Sequence, residues 1–99
     1  MKTTTYASLP TLDKLRLHVH QTLCTRDRLD PGQTPLLEAR IVRSGQWCGL
    51  FYQLEGPRLL RTFAVWAGDE YRILFYDSTG CRFAETRLSE APNPRQRAA

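Results

Sequence analysis

Leu36-Leu37-Glu38-Ala39-Arg40-Ile41-Val42-Arg43, then Ser44-Gly45-Gln46, then Trp47-Cys48-Gly49-Leu50-Phe51-Tyr52-Gln53-Leu54-Glu55 is a segment built for extended chain. Two runs rich in β-branched, aromatic and other apolar residues flank a short break of turn formers, the pattern of a β-hairpin. The pattern continues downstream. Further runs cover Leu59 to Trp66, Tyr71 to Tyr76 and Cys81 to Leu88, separated by Gly56-Pro57-Arg58, Ala67-Gly68-Asp69-Glu70 and Asp77-Ser78-Thr79-Gly80. Breaks this short make consecutive strands antiparallel neighbours, so the sequence predicts a meander of four to five strands.

Upstream of Pro35 the period changes. Leu12, Leu15, Val19 and Leu23 recur at spacings of three and four and fall on one stripe of a helix. Ser8 or Thr11 can cap its start, Asp13 complements the positive end of the helix dipole, and Asp30-Pro31-Gly32 is a strong stop. Leu15-Arg16-Leu17-His18-Val19-His20 also alternates as a strand would. The helical stripe runs past it to Leu23, however, and lies between good boundary signals. The expected fold class is therefore α+β, with an N-terminal helix within Leu9 to Leu29 packed on one face of the antiparallel sheet.

Alternation separates the two faces. Leu37, Ala39 and Ile41, then Leu59, Phe63 and Val65, then Tyr71, Ile73 and Phe75 are expected beneath the helix. Leu50, Tyr52, Leu54, Leu60, Trp66, Leu74 and Tyr76 then fall on the other side, which is more apolar than a water-facing sheet usually is. A curled sheet, a folded-back terminus or a second subunit could each cover such a face.

The chain of 99 residues, 41% hydrophobic and 24% charged, suits one core and one domain. Residues 8–90 are expected to form it, with a flexible stretch at 1–7 and a disordered tail at 91–99, where Pro92-Asn93-Pro94 precedes a basic end. No apolar run reaches the roughly 20 residues of a membrane-spanning helix, and the start lacks a signal-peptide core, so a cytoplasmic protein that does not engage membranes is expected. Cys24, Cys48 and Cys81 are odd in number and far apart, which draws neither a disulfide framework nor a paired metal knuckle.

Few residues suggest chemistry. His20 and Cys24 have the i, i+4 spacing of two ligands on one helical face, but His18 points away and the set is incomplete, so no metal is expected. Asp77-Ser78-Thr79-Gly80 lies close to the Asp-Thr/Ser-Gly signature of aspartic proteases, with one residue too many; it reads instead as a tight β-connection. Cys48 and Cys81 lie in strands, where burial leaves a thiol inert. Neither a Gly-rich phosphate loop nor a dinucleotide fingerprint is present. These readings leave no catalytic residue and no cofactor.

What remains is a mixture of arginine and aromatic side chains on the sheet. The net charge is +4, and twelve Arg stand against two Lys. Tyr52, Trp66 and Tyr76 with Arg61, Arg72 and Arg82 form the expected partner-binding set, since Trp, Tyr and Arg are enriched at interface hot spots. The expected function is a small non-enzymatic interaction module that binds a protein partner or itself. The alternative is a single-stranded nucleic-acid-binding domain in which the aromatics stack on bases and the arginines neutralise phosphate. Glu38, Glu55, Glu85 and Glu90 interrupt the positive field that a polynucleotide requires.

Overall fold

The computed structural model describes residues 2–55, 62–68 and 70–92. Along the chain lie β1 (Thr3–Ser8), α1 (Leu12–Asp27), β2 (Leu36–Arg43), β3 (Gln46–Leu54), β4 (Phe63–Ala67), β5 (Arg72–Tyr76) and β6 (Arg82–Glu90). All six strands join one sheet in the order β1-β6-β5-β4-β3-β2. Strands β2 to β6 form an antiparallel meander, and β1 pairs with β6 in parallel, so the sheet is mixed. The fold is α+β, as expected, but with six strands rather than four or five.

The additional strand, β1, lies within the stretch expected to be flexible. Thr3-Thr4-Thr5 offers no apolar alternation, so periodicity could not reveal it; what holds it is side-chain hydrogen bonding and a free sheet edge. Thr5 Oγ1 lies 2.8 Å from Thr86 Oγ1, and Thr86 Oγ1 lies 2.9 Å from His18 Nε2, a chain that ties β1, β6 and α1 together. The Leu9 amide continues the attachment by donating to the carbonyl of Glu90 (2.9 Å). The expected disordered tail falls mostly on residues 93–99, outside the described residues, as does the segment 56–61 that includes Leu59, Leu60 and Arg61.

Local chemistry explains the other boundaries. Thr11 is extended and accepts a hydrogen bond from the Lys14 amide through its side chain, the usual N-cap arrangement. The helix stops at Arg28, which adopts the left-handed conformation (φ 57°), ahead of the Asp30-Pro31-Gly32 turn. Ser44 and Gly45 both have positive φ, so β2 and β3 are joined by the two-residue turn whose twist matches the flanking strands. At the β5–β6 turn, Asp77 Oδ1 accepts from the Thr79 amide (2.9 Å), the Thr79 hydroxyl (2.6 Å) and the Cys81 amide (3.0 Å), and Gly80 takes φ 88°. The carboxylate at Asp77 therefore builds a turn. Its bonds from the Thr79 hydroxyl first, and from the backbone, hold it below the ordinary aspartate range.

Helix α1 buries Leu15, Val19, Leu23 and Cys24, matching the stripe read from the sequence, with Leu12 partly buried at its start. The face it covers is not the expected one. Beneath it lie Leu50, Tyr52 and Leu54 of β3, Ala64 and Trp66 of β4, and Ile73 and Phe75 of β5. The expectation holds for Ile73 and Phe75 of β5 but not for Tyr71, which precedes the strand and is exposed, and it is inverted for β2, β3 and β4. Pairing transmits the choice across the sheet, because Ile73 lies opposite Trp66, Trp66 opposite Leu50 and Leu50 opposite Arg40. Gln53 and Arg72 stand in the opposite alternation and favour the solvent side; these polar residues outweigh the local pattern of β2.

Gly49 sits at the register shift between β2 and β3, where a Cβ would run into the backbone carbonyl oxygen of Trp66. A backbone obstacle cannot rotate away, so Gly49→Ala is expected to destabilise the domain by roughly 1–3 kcal/mol through a forced shift of β3 against β4. Urea denaturation of the variant checks this. A midpoint equal to that of the parent would show that the strands separate without cost.

Candidate interaction face

The side of the sheet away from α1 carries Ile41 from β2, Phe51 from β3, Phe63 and Val65 from β4, and Leu74 and Tyr76 from β5, all half-buried. Antiparallel register brings them together. Phe63 pairs with Tyr76, and Phe51 pairs with Val65 one step along the same face. The aromatic rings form a row across three strands: the Phe51 and Phe63 centroids are 5.6 Å apart, and Phe63 stacks on Tyr76 at 4.9 Å with only 11° between the planes. Among the described residues, no element lies over this face, since the one helix is committed to the other side.

Charged side chains border the row on the β5–β6 side, and four of them are paired with one another. Arg72 Nη2 lies 2.8 Å from Glu70 Oε1 and Arg72 Nη1 lies 3.7 Å from Glu85 Oε2, while Arg87 Nε donates to Glu85 Oε2 at 3.2 Å. Two arginines and two glutamates thus cancel locally. The hydrogen bonds it donates to Glu70, chiefly, raise the Arg72 guanidinium further above its already high pKa.

The five described residues of the set expected to bind a partner do not assemble on one face. Tyr76 and Arg72 are on the uncovered face, Arg82 lies opposite Tyr76 at the start of β6, and Arg61 is outside the described residues. Tyr52 and Trp66 are fully buried under α1. They belong to the core, a correction that follows from the inverted faces of β3 and β4. The residues that reasoning from sequence missed for the open face are Ile41, Phe51, Phe63 and Val65, of which Ile41, Phe63 and Val65 had been assigned to the helix side.

Beneath the helix the burial of Tyr52 is made possible by a polar knot. Its hydroxyl donates to Glu38 Oε2 at 2.8 Å, and Arg16 grips the same carboxylate with Nε to Oε2 at 2.7 Å and Nη2 to Oε1 at 3.1 Å. Burial pushes the Glu38 carboxyl up, but the bonds from Arg16 and Tyr52 outweigh it and leave the pKa below the ordinary glutamate value. Burial first, then the hydrogen bond to Glu38 and the charge of that carboxylate, drive the Tyr52 phenol far above its ordinary value. Trp66 has no such support: its Nε1 finds no hydrogen-bond partner among the described residues.

The remaining candidates have structural partners. His20 donates through Nε2 to the Thr34 carbonyl at 2.7 Å, whereas His18 reaches Thr86 and packs edge-on to Phe75, its pKa lowered by burial. The two histidines thus point to different parts of the fold. Burial, with Asp27 and Asp30 adding to it, raises the thiol pKa of Cys24 and keeps it unreactive. Among the described residues, no group of three or more His, Cys, Asp or Glu is arranged to hold a metal ion. No described helix is long and apolar enough to cross a membrane.

No protein-family model, curated protein or solved structure matches the chain.

Proposed function

We propose that the chain is a non-enzymatic interaction module whose uncovered sheet face receives a protein partner. The observation that carries this reading is the row Phe51-Phe63-Tyr76, flanked by Ile41, Val65 and Leu74, on a face that no described element covers. Contiguous apolar surface of this kind marks interaction sites, and aromatic side chains bring large contact area at low entropic cost. A protein is favoured over single-stranded nucleic acid because Glu70 and Glu85 neutralise Arg72 and Arg87 at its border. Phosphate recognition requires uncompensated positive charge along the strand path.

A photo-reactive side chain placed at Val65, compared with one at the exposed helix position Gln21, tests the proposal in cells that express the chain. Cross-linking to a protein is expected from position 65 and not from position 21, and Phe63→Ser, which touches only the open face, is expected to abolish it without lowering the melting temperature by more than a few degrees. Adducts with nucleic acid that vanish as salt is raised would instead establish the alternative reading. Equal adducts from both positions would sink both.

A further inference from the structure

The sheet order ends at β2, so one long side of Leu36–Arg43 meets no described strand. Unpaired strand edges are ordinarily blunted by brevity, by proline, by bulges or by charged side chains that a second strand cannot neutralise, because they template pairing with another chain. Strand β2 has eight residues, no proline, and regular pairing from Leu36 to Ile41 before its register shift. Which backbone groups it presents follows from the ladder. The Glu55 amide donates to the Pro35 carbonyl, placing the odd-numbered groups of β2 on the β3 side. The groups of Leu36, Glu38 and Arg40 therefore point outward, free to bond to a further strand.

From this edge we infer that the chain forms a twofold dimer by antiparallel pairing of β2 with β2 of a second copy, about an axis through Ala39. The side chains of the strand are complementary to themselves in that one register. Glu38 falls opposite Arg40 of the second copy and Arg40 opposite its Glu38, while Leu37 falls opposite its Ile41 and Leu36 opposite its Val42. Both ion pairs lie on the helix side and the Leu37–Ile41 pairs on the open side. Sliding the copies by two residues in one direction opposes Glu38 to Glu38, and in the other Arg40 to Arg40, so like charges meet on the axis. Two otherwise unexplained features agree with the pairing: Leu37 and Val42 are 45% and 59% exposed, and each acquires an apolar neighbour across the axis. The contact is isologous and closes on itself, giving a dimer with one continuous sheet instead of a fibre. It uses the edge and shares only Ile41 with the face proposed to receive a partner, so the two can fail separately.

Ala39 is exposed, and at the axis it opposes its own copy in a non-hydrogen-bonded pair, where Cβ atoms approach to roughly 4.5–5.5 Å. In a Cys48→Ser/Cys81→Ser background, Ala39→Cys is expected to form a disulfide dimer quickly under mild oxidation, whereas Leu37→Cys, displaced from its own copy, forms it slowly. Sedimentation velocity of the parent over a concentration series is expected to pass from 11.4 kDa to twice that mass. Arg40→Glu, which sets like charges opposite one another at both ion pairs, is expected to weaken the dimer about tenfold or more. A parent that stays monomeric at 100 μM or so, or cross-linking no faster at position 39 than at 37, would overturn the inference. So would a dimer insensitive to Arg40→Glu but abolished by Val65→Glu, which would place the contact on the open face.

Discussion

Trp66→Ala is expected to unfold the domain or bring it to the brink at 37 °C, with a loss of about 3–5 kcal/mol in urea or thermal denaturation. The side chain is fully buried among Leu50, Ile73 and the helix stripe, where a strand within a three-strand core cannot collapse to fill the space. Domains of this size have on the order of 5–15 kcal/mol in total, so one substitution consumes a large part of it. Trp66→Phe is expected to cost much less, about 1 kcal/mol, because it removes the buried Nε1–H that has no partner among the described residues while keeping most of the ring. A Trp66→Ala variant that melts within a few degrees of the parent would show that this side chain is not core.

The second large effect concerns the knot of Arg16, Glu38 and Tyr52. Glu38→Ala is expected to cost about 2–3 kcal/mol, since it strands a buried phenol hydroxyl and frees Arg16. Tyr52→Phe, which removes donor and acceptor demand together, is expected to cost less. Two pH limits follow. The depressed Glu38 pKa contributes stability that is present above the unfolded-state value, near 4.3, and is lost as pH falls through the folded value. The raised Tyr52 pKa contributes stability that is present below the unfolded-state value, near 10, and is lost as pH climbs above it, by about 1.4 kcal/mol per pH unit. Tyr52→Phe is therefore expected to flatten the alkaline limb of the stability profile; an unchanged limb would mean that Tyr52 ionises as freely folded as unfolded.

Much of the architecture was legible because it depends on short-range pattern. The bounds of β2, the Thr11 cap, the helix stripe and the turn at Asp77 follow from neighbours within a few positions. Strand β1 was not legible, since a threonine run becomes a strand only when β6 offers an edge and Thr86 offers a hydroxyl. The candidate face was half legible. Arg72, Leu74 and Tyr76 alternate clearly against Ile73 and Phe75, so β5 read correctly. On β2 the local alternation placed Glu38 and Arg40 on the side away from the helix, whereas Glu38 lies on the helix side as the acceptor that lets Tyr52 be buried.

By itself, then, the sequence determined one amphipathic helix, a hairpin-connected run of extended segments and the turns between them, all through interactions close along the chain. Only the tertiary structure decided which side of each ribbon meets the helix and that the first residues complete the sheet. Alternation defines two faces on each strand without saying which is inner, and a strand with apolar side chains on both sides has no local preference. The choice is made where distant residues pair, as Arg40 with Leu50, Leu50 with Trp66 and Trp66 with Ile73, so that one inward residue commits its neighbours across the sheet.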